Sequence, residues 1–340
     1  MHRFNNVQIL RLLAALSVVV GHVTLLAAER NAAIGDTTVY QRVGGWGVFL
    51  FFAISGFVLT HSVQRQTARE FMLHRILRIY PAYLAAVAIV WLAKYAILGS
   101  GIPPQELSWR SLTLLPFGRV GYPLWVEWSL VYEIFFYLVL GIVWVSRSNR
   151  VLLAVCGLWA VAIAVSGIVQ PGWATDRLPT VFQIPVSALS LPFIGGVAAY
   201  FVLPRIGPRQ RALLLPIAVV AAVATPFLIG HKEWVSLVST VWSTALVLSA
   251  AARGETHDAP ATSPWVRGGD WSYGLYLLHV PVVTIMLVVI GAAPIPLALL
   301  LPLLTAFALT IGLAYGFAES LAYRKLKALV PRSEREVRLR

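Results

Sequence analysis

Val7-Gln-Ile-Leu-Arg-Leu-Leu-Ala-Ala-Leu-Ser-Val-Val-Val-Gly-His-Val-Thr-Leu-Leu-Ala-Ala28 decides the architecture. About 20 mainly apolar residues are needed to cross roughly 30 Å of hydrocarbon, and this stretch meets that length with Arg11 as its one formal charge. Ala27-Ala28 resembles a leader cleavage site, but a cleavable leader has an uninterrupted apolar run. Arg11 and His22 interrupt this one, so the stretch reads as a retained membrane helix.

Nine more stretches of similar character follow, at about 43–62, 79–98, 124–145, 151–169, 181–203, 212–230, 234–251, 271–291 and 293–318. The expectation is an all-α, polytopic bundle of about ten transmembrane helices over 1–323, with a basic cytoplasmic tail at 324–340. The longest gaps, 99–123 and 252–270, are loop-sized. Composition agrees: 59% of the 340 residues are apolar and 12% charged, against about 25% charged in a soluble domain.

Lys and Arg number 27 against 14 Asp and Glu, a formal +13. Such a balance suits nucleic acid or a membrane protein with basic cytoplasmic loops. The apolar runs select the second, and no nucleic-acid partner is expected. With both termini placed in the cytoplasm, most basic residues fall on the cytoplasmic side, among them Arg65, Arg69, Arg75, Arg78 and those from Arg324 to Arg340. Cys156 is the sole cysteine. It excludes an intrachain disulfide and a cysteine metal cluster, and reads as a small buried hydrophobe.

An ionisable residue at the centre of a membrane helix costs on the order of 2.5–3.5 kcal/mol on insertion scales, so each needs a reason. Arg11 and His22 are eleven residues apart, about three turns, and share nearly one face. Either alone reads as a snorkelling anchor or a packing histidine; together they outline a polar cavity. Glu133 lies mid-span in Leu124-Trp-Val-Glu-Trp-Ser-Leu-Val-Tyr-Glu-Ile-Phe-Phe-Tyr137 and demands a partner. Glu127, nearer the outer surface, marks the interface, with Trp125, Trp128 and Tyr132 as belt residues or sugar-stacking rings. Arg75 and Arg78, in His74-Arg-Ile-Leu-Arg-Ile-Tyr-Pro81, share a helical face at the cytoplasmic start of the third span; they suit phosphate, or simply sidedness. His279, in Asp270-Trp-Ser-Tyr-Gly-Leu-Tyr-Leu-Leu-His-Val-Pro281, reads as a packing histidine. Glu319 closes the last span and reads as a surface ion pair with Arg324 and Lys325. Gly56 permits close helix approach, and Ser55 lacks the nucleophile-elbow pattern.

The chain resembles the acyltransferase-3 family of membrane acyltransferases, which includes enzymes that O-acetylate bacterial surface polysaccharides. The resemblance rests on Arg11 with His22; Phe51, Phe52, Ser55, Gly56 and Phe57; Arg75, Arg78, Tyr80 and Pro81; Trp128, Ser129, Leu130, Glu133, Phe136 and Tyr137; Ser272, Tyr273, Gly274, Tyr276, Leu277 and His279; and a terminal Glu319. Asn6-Val-Gln-Ile-Leu-Arg11 is similar to the branch acting on exopolysaccharides such as succinoglycan. Ser320 stands where the family usually has a proline.

The resemblance implies acyl-CoA, most often acetyl-CoA, as co-substrate, with no bound cofactor or metal. It implies a polysaccharide or lipid-linked oligosaccharide acceptor, the bacterial cytoplasmic membrane, and polysaccharide assembly proteins as neighbours. Arg75, Arg78 and Arg11 are then the donor-binding cations. His22 is the general base and Glu133 the carboxylate that orients it. Glu127, Trp128, Ser55, Tyr273, His279 and Glu319 are acceptor-binding or structural. Intramembrane Arg, His and Glu also suit a transporter of a small anionic or sugar-linked solute, so acyl transfer stands above transport on the resemblance alone.

Overall fold

Local signals start and stop the helices. Thr67 accepts a hydrogen bond from the Glu70 amide at 3.2 Å while the Glu70 carboxylate accepts from the Thr67 amide at 2.8 Å, a reciprocal cap. In the computed structural model, which describes residues 4–29, 38–118, 120–170, 179–228, 232–255, 257–291, 293 and 295–330, that cap opens the third long helix. The helices are α1 (Asn5–Ala28), α2 (Thr38–Val63), α3 (Ala68–Leu98), the single turn α4 (Trp109–Leu112), α5 (Glu127–Val143), α6 (Asn149–Val169), α7 (Leu191–Val202), α8 (Pro208–Ala224), α9 (Lys232–Gly254), α10 (Pro264–Ile290) and α11 (Leu297–Ala328). No strand occurs among the described residues; one isolated bridge joins Phe117 and Thr180.

Ten of these helical stretches are long and apolar enough to cross a membrane, giving the polytopic all-helical bundle expected. Ile168, Leu158 and Val220 are 82%, 71% and 70% exposed, as lipid-facing side chains should be. Cys156 is buried.

Several boundaries differ from the expectation, three of them near the site or the tail. α3 begins at Ala68 rather than 79, because its cap sets the start and nothing obliges a helix to end at the lipid boundary. The Arg75–Arg78 pair therefore lies within it. The sixth stretch is broken: two 3-10 turns, Ile184–Val186 and Ala188–Ser190, precede α7. Pro185 and Pro192 each lack an amide donor, and Ser187 caps the second turn through the Leu189 amide. α11 runs through Arg324 to Ala328, so the expected tail begins inside a helix; 331–340 lie outside the described residues.

Glycines let the helices that matter to the site touch through their backbones. A Cβ on Gly56 would stand 2.1 Å from the Phe193 carbonyl, and one on Gly196 2.0 Å from that of Ala53. α2 and α7 thus cross at zero clearance. Gly274 and Gly316 do the same for α10 and α11: a Cβ on Gly316 would meet the Trp271 carbonyl at 2.1 Å.

Side-chain bonds define one face of the bundle, called here the N-terminal face. The Asn5 and Asn6 amides donate to the Asp258 carboxylate at 3.0 and 2.9 Å. Gln64 bonds Asn149 and Tyr200, and Arg211 pairs with Glu255 at 2.8 Å. At the opposite side, the segment between α3 and α5 does not stay outside as a surface loop. Tyr80 donates to the Thr113 carbonyl at 2.6 Å and Tyr83 to that of Ser111 at 3.3 Å. Tyr83 is fifteen residues short of the end of α3, so the segment dips about 22 Å back along that helix. Leu114 and Leu124 are fully buried there. Non-helical backbone at that depth requires shelter within protein.

Candidate active site

A cavity of about 780 Å³ runs into the bundle from the N-terminal face. α1, α2, α3, α5, α10 and α11 supply its walls, and Arg11, Arg75, Arg78, Arg267 and Arg324 line it. The acidic side chains on the same walls are Glu133 and Asp270. Tyr137, Tyr273 and Tyr276 add rings. The expected donor-binding arginines therefore share one space with Glu133, Ser55 and Tyr273.

Each inner arginine is held differently. Arg11 donates to Gln8 Oε1 at 3.4 Å and lies within the electrostatic reach of Arg78, Glu133 and Asp270. Arg75 stacks over Phe71 and Tyr137, with 5.4 and 5.9 Å to the ring centroids, and donates to Ser62 Oγ at 3.3 Å. Its buried Nε has no hydrogen-bond partner among the described residues. Arg78 is paired: its Nη1 lies 2.7 Å from Glu319 Oε2, and Tyr273 and Tyr323 flank it. Glu319 is thus not a surface partner of Arg324 and Lys325. Its side chain is 3% exposed and answers Arg78, because α11 packs its last turns against α3.

Glu133 accepts from Tyr137 at 2.6 Å and from Ser55 at 3.4 Å. His22 meets His279, with 3.2 Å between His22 Nδ1 and His279 Nε2. Carbonyls fix the protons. His279 Nδ1 lies 2.7 Å from the Tyr276 carbonyl, which can only accept, so Nδ1 carries the hydrogen and Nε2 presents a lone pair. His22 Nδ1 lies 3.0 Å from the Val18 carbonyl and likewise carries its hydrogen, shared between that oxygen and His279 Nε2. His22 Nε2 is then the basic nitrogen. A fully buried histidine, His279, thus stands against His22, while Glu133 bonds Tyr137 and Ser55.

The histidine pair does not line the cavity; Tyr276 stands between. Its hydroxyl is 2.6 Å from that of Ser129, its ring lines the cavity, and its other side meets His279 with 5.7 Å between centroids. Helix geometry explains the arrangement. Arg267, Asp270, Tyr273, Tyr276 and His279 recur every third residue, and three residues advance a helix about 300°. The ladder slips about 60° per step, so its lower rungs face the cavity and His279 faces α1. Asp270, Arg267 and Tyr276 were not expected as site residues, although this ladder was the available signal; Arg324, on α11, has no such signal.

The remaining expected residues lie apart. Glu127 is fully buried rather than interfacial. Its Oε1 accepts from the Leu124 amide at 2.8 Å and lies 3.5 Å from the Tyr83 hydroxyl, pinning the re-entrant segment. Tyr132 is fully buried and donates to Ser187 at 2.9 Å. Trp128 packs on Tyr132. Trp125 is 67% exposed.

Comparisons with known proteins give the family. The acyltransferase domain family matches residues 4–319. The chain is 28% identical to nodulation protein 10 of Rhizobium leguminosarum bv. viciae, over 82% of each chain. It is 27% identical to acyltransferase MdmB of Streptomyces mycarofaciens, over 81% of this chain and 77% of that one. To the O-acetyl transferase of Shigella phage Sf6 it is 23% identical, over 83% and 85%. No solved structure matches. The match of that family over residues 4–319, from the first helix into the last, places this protein in the acyltransferase-3 family of membrane acyltransferases.

Proposed function

We propose that the protein moves an acyl group, acetyl in the first instance, from acyl-CoA to a hydroxyl of a cell-surface or exported polysaccharide or its lipid-linked precursor. It does so in the bacterial cytoplasmic membrane, with the N-terminal face in the cytoplasm. The observation that carries this is the cavity: cationic where it opens, deep enough to reach Ser129 and Tyr276, and ending one ring away from the His22–His279 pair. Its volume lies in the upper part of the roughly 300–1,000 Å³ of small-molecule sites. The unanswered Arg75 Nε supports an anionic occupant, and the basic loops support the sidedness.

In this reading Arg75 and Arg11 hold the donor's phosphates by charge-assisted hydrogen bonds, while Glu133, fixed by Tyr137 and Ser55, balances Arg11. The acyl thioester reaches past Tyr276. His22 Nε2 takes the proton of the acceptor hydroxyl as its oxygen attacks the thioester carbonyl. A carbon–oxygen bond forms, the carbon–sulfur bond breaks, and the coenzyme thiolate leaves and regains the proton. His279 Nε2 accepts from the imidazolium throughout.

The test is proton NMR of the host's purified surface glycans with the gene intact, deleted, or carrying His22→Ala. Loss of an O-acyl signal in the last two is expected. Unchanged glycans in both would overturn the acceptor class, and unchanged glycans in the variant alone would remove His22 as base.

A further inference from the structure

Arg267 and Arg324 lie outside every motif on which the family resemblance rests. Arg267 stands in the first turn of α10 and Arg324 near the end of α11. Both are exposed, and both line the cavity. The backbone crossing at Gly274 and Gly316 fixes their heights. Arg267 is seven residues outward of Gly274 and Arg324 eight outward of Gly316, so both stand about 10–12 Å beyond the crossing. Glu319, bonded to Arg78, is three residues outward of Gly316, or about 5 Å. The arginines therefore form two levels about 7 Å apart along α11.

The levels differ in charge balance. At the inner one Arg78 is answered by Glu319 and Arg11 lies in the field of Glu133 and Asp270. At the outer one neither Arg267 nor Arg324 is ion-paired among the described residues. Arg324 spends only its Nε, on the Ser320 carbonyl at 3.3 Å. The facing carboxylate is Asp270, one turn deeper on α10. A cavity so built suits an occupant with two anionic groups set apart, the outer one exposed and met by cations that no carboxylate answers. Acyl-CoA has that form, with a pyrophosphate and a 3′-phosphomonoester on opposite sides of one ribose.

The geometry points to Arg267 and Arg324 as the subsite for the donor's 3′-phosphomonoester, with the pyrophosphate deeper in the cavity, between Arg75 and Arg11. This rests on the donor reading above. Two guanidinium forks meet a phosphomonoester bidentately, as two lysines would not. The subsite makes the protein selective for coenzyme A over its 3′-dephospho form.

The test uses the full chain in phosphatidylcholine vesicles, where the donor is the sole phosphomonoester. Binding of CoA and of 3′-dephospho-CoA is measured by calorimetry, and the KM for the two acetylated donors by thiol release with the acceptor glycan. For the natural protein, both Kd and KM should favour the phosphorylated form about tenfold. Arg267→Gln with Arg324→Gln should collapse that ratio to about one. Arg267→Lys should keep part of it. Arg209→Gln, on the same face but outside the cavity, controls for general charge attraction and should leave the ratio intact. A natural protein that transfers acetyl from both donors equally, or a double variant that still discriminates, overturns the subsite and leaves the donor reading standing. Binding of neither form by the natural protein overturns both.

Discussion

The site is approached from two sides that are built in opposite ways. From the N-terminal face the way in is wide and cationic, with five arginines on its walls. Toward the other face the segment between α3 and α5 packs into the bundle, held by neutral hydrogen bonds from Tyr80 and Tyr83, fully buried leucines and one carboxylate, Glu127, that serves a backbone amide. Both sides place polar groups at membrane depth. On one they are aimed into open space; on the other most are spent on the protein's own backbone, although Glu127 Oε2 has no hydrogen-bond partner among the described residues. A polar residue inside a span is a site residue when its bonds leave room for a ligand, and scaffolding when the chain itself consumes them.

That contrast can be broken by substitution. The largest effect belongs to His22, where the open side ends. His22→Ala should cost about 10²–10⁴ in the rate of acyl transfer at unchanged protein level, measured as O-acyl formation in vesicles; near-natural activity would dissolve the site. His279→Ala should cost about 10–100-fold, and His279→Gln should recover part of it, because an amide oxygen can still accept from His22. Equal rates for the two variants would mean that the ring only packs. Arg75→Ala should raise the KM for the donor about tenfold, the value of a charge-assisted bond, and an unchanged KM would place the phosphates elsewhere. On the side of the re-entrant segment the effect should be on stability. Glu127→Ala leaves the Leu124 amide unanswered in a buried place and should lower thermal stability by about 1–3 kcal/mol, with the donor KM unchanged. Glu127→Gln, which keeps the acceptor oxygen, should be close to natural. A raised donor KM in Glu127→Ala would show the two sides to be coupled.

The bundle was legible because lipid imposes a length and an apolarity that can be counted directly. Arg11, Arg75, Arg78 and Glu133 were legible as a polar set for the same reason: each is out of place in a span. What stayed hidden was pairing. Nothing in the order of residues distinguishes Glu319 bound to Arg324 nearby from Glu319 bound to Arg78, 241 positions away. Nor does it say that His22 meets His279 rather than Glu133. These choices are made by helix crossings at Gly274 and Gly316, which depend on packing in three dimensions. The re-entrant segment was unreadable for a related reason: a Gly- and Pro-rich gap has one composition whether it lies outside the bundle or is drawn into it, and the tyrosines that draw it in belong to α3.

The separation of Arg78 from Glu319 also bears on how the chain is made. A ribosome delivering this sequence into the membrane completes α3, with its arginine, before any of the seven long helices that follow. The carboxylate that answers Arg78 arrives in the last helix. Arg11 waits similarly for Glu133 and Asp270. Until α11 emerges, water and lipid headgroups at the N-terminal face can stand in as partners of Arg78, which its position near that face allows. The Asn5 and Asn6 clasp on Asp258 closes only when α10 is about to begin. Assembly of the cavity is therefore a late event, and a chain cut short before α11 would leave Arg78 without its counter-charge.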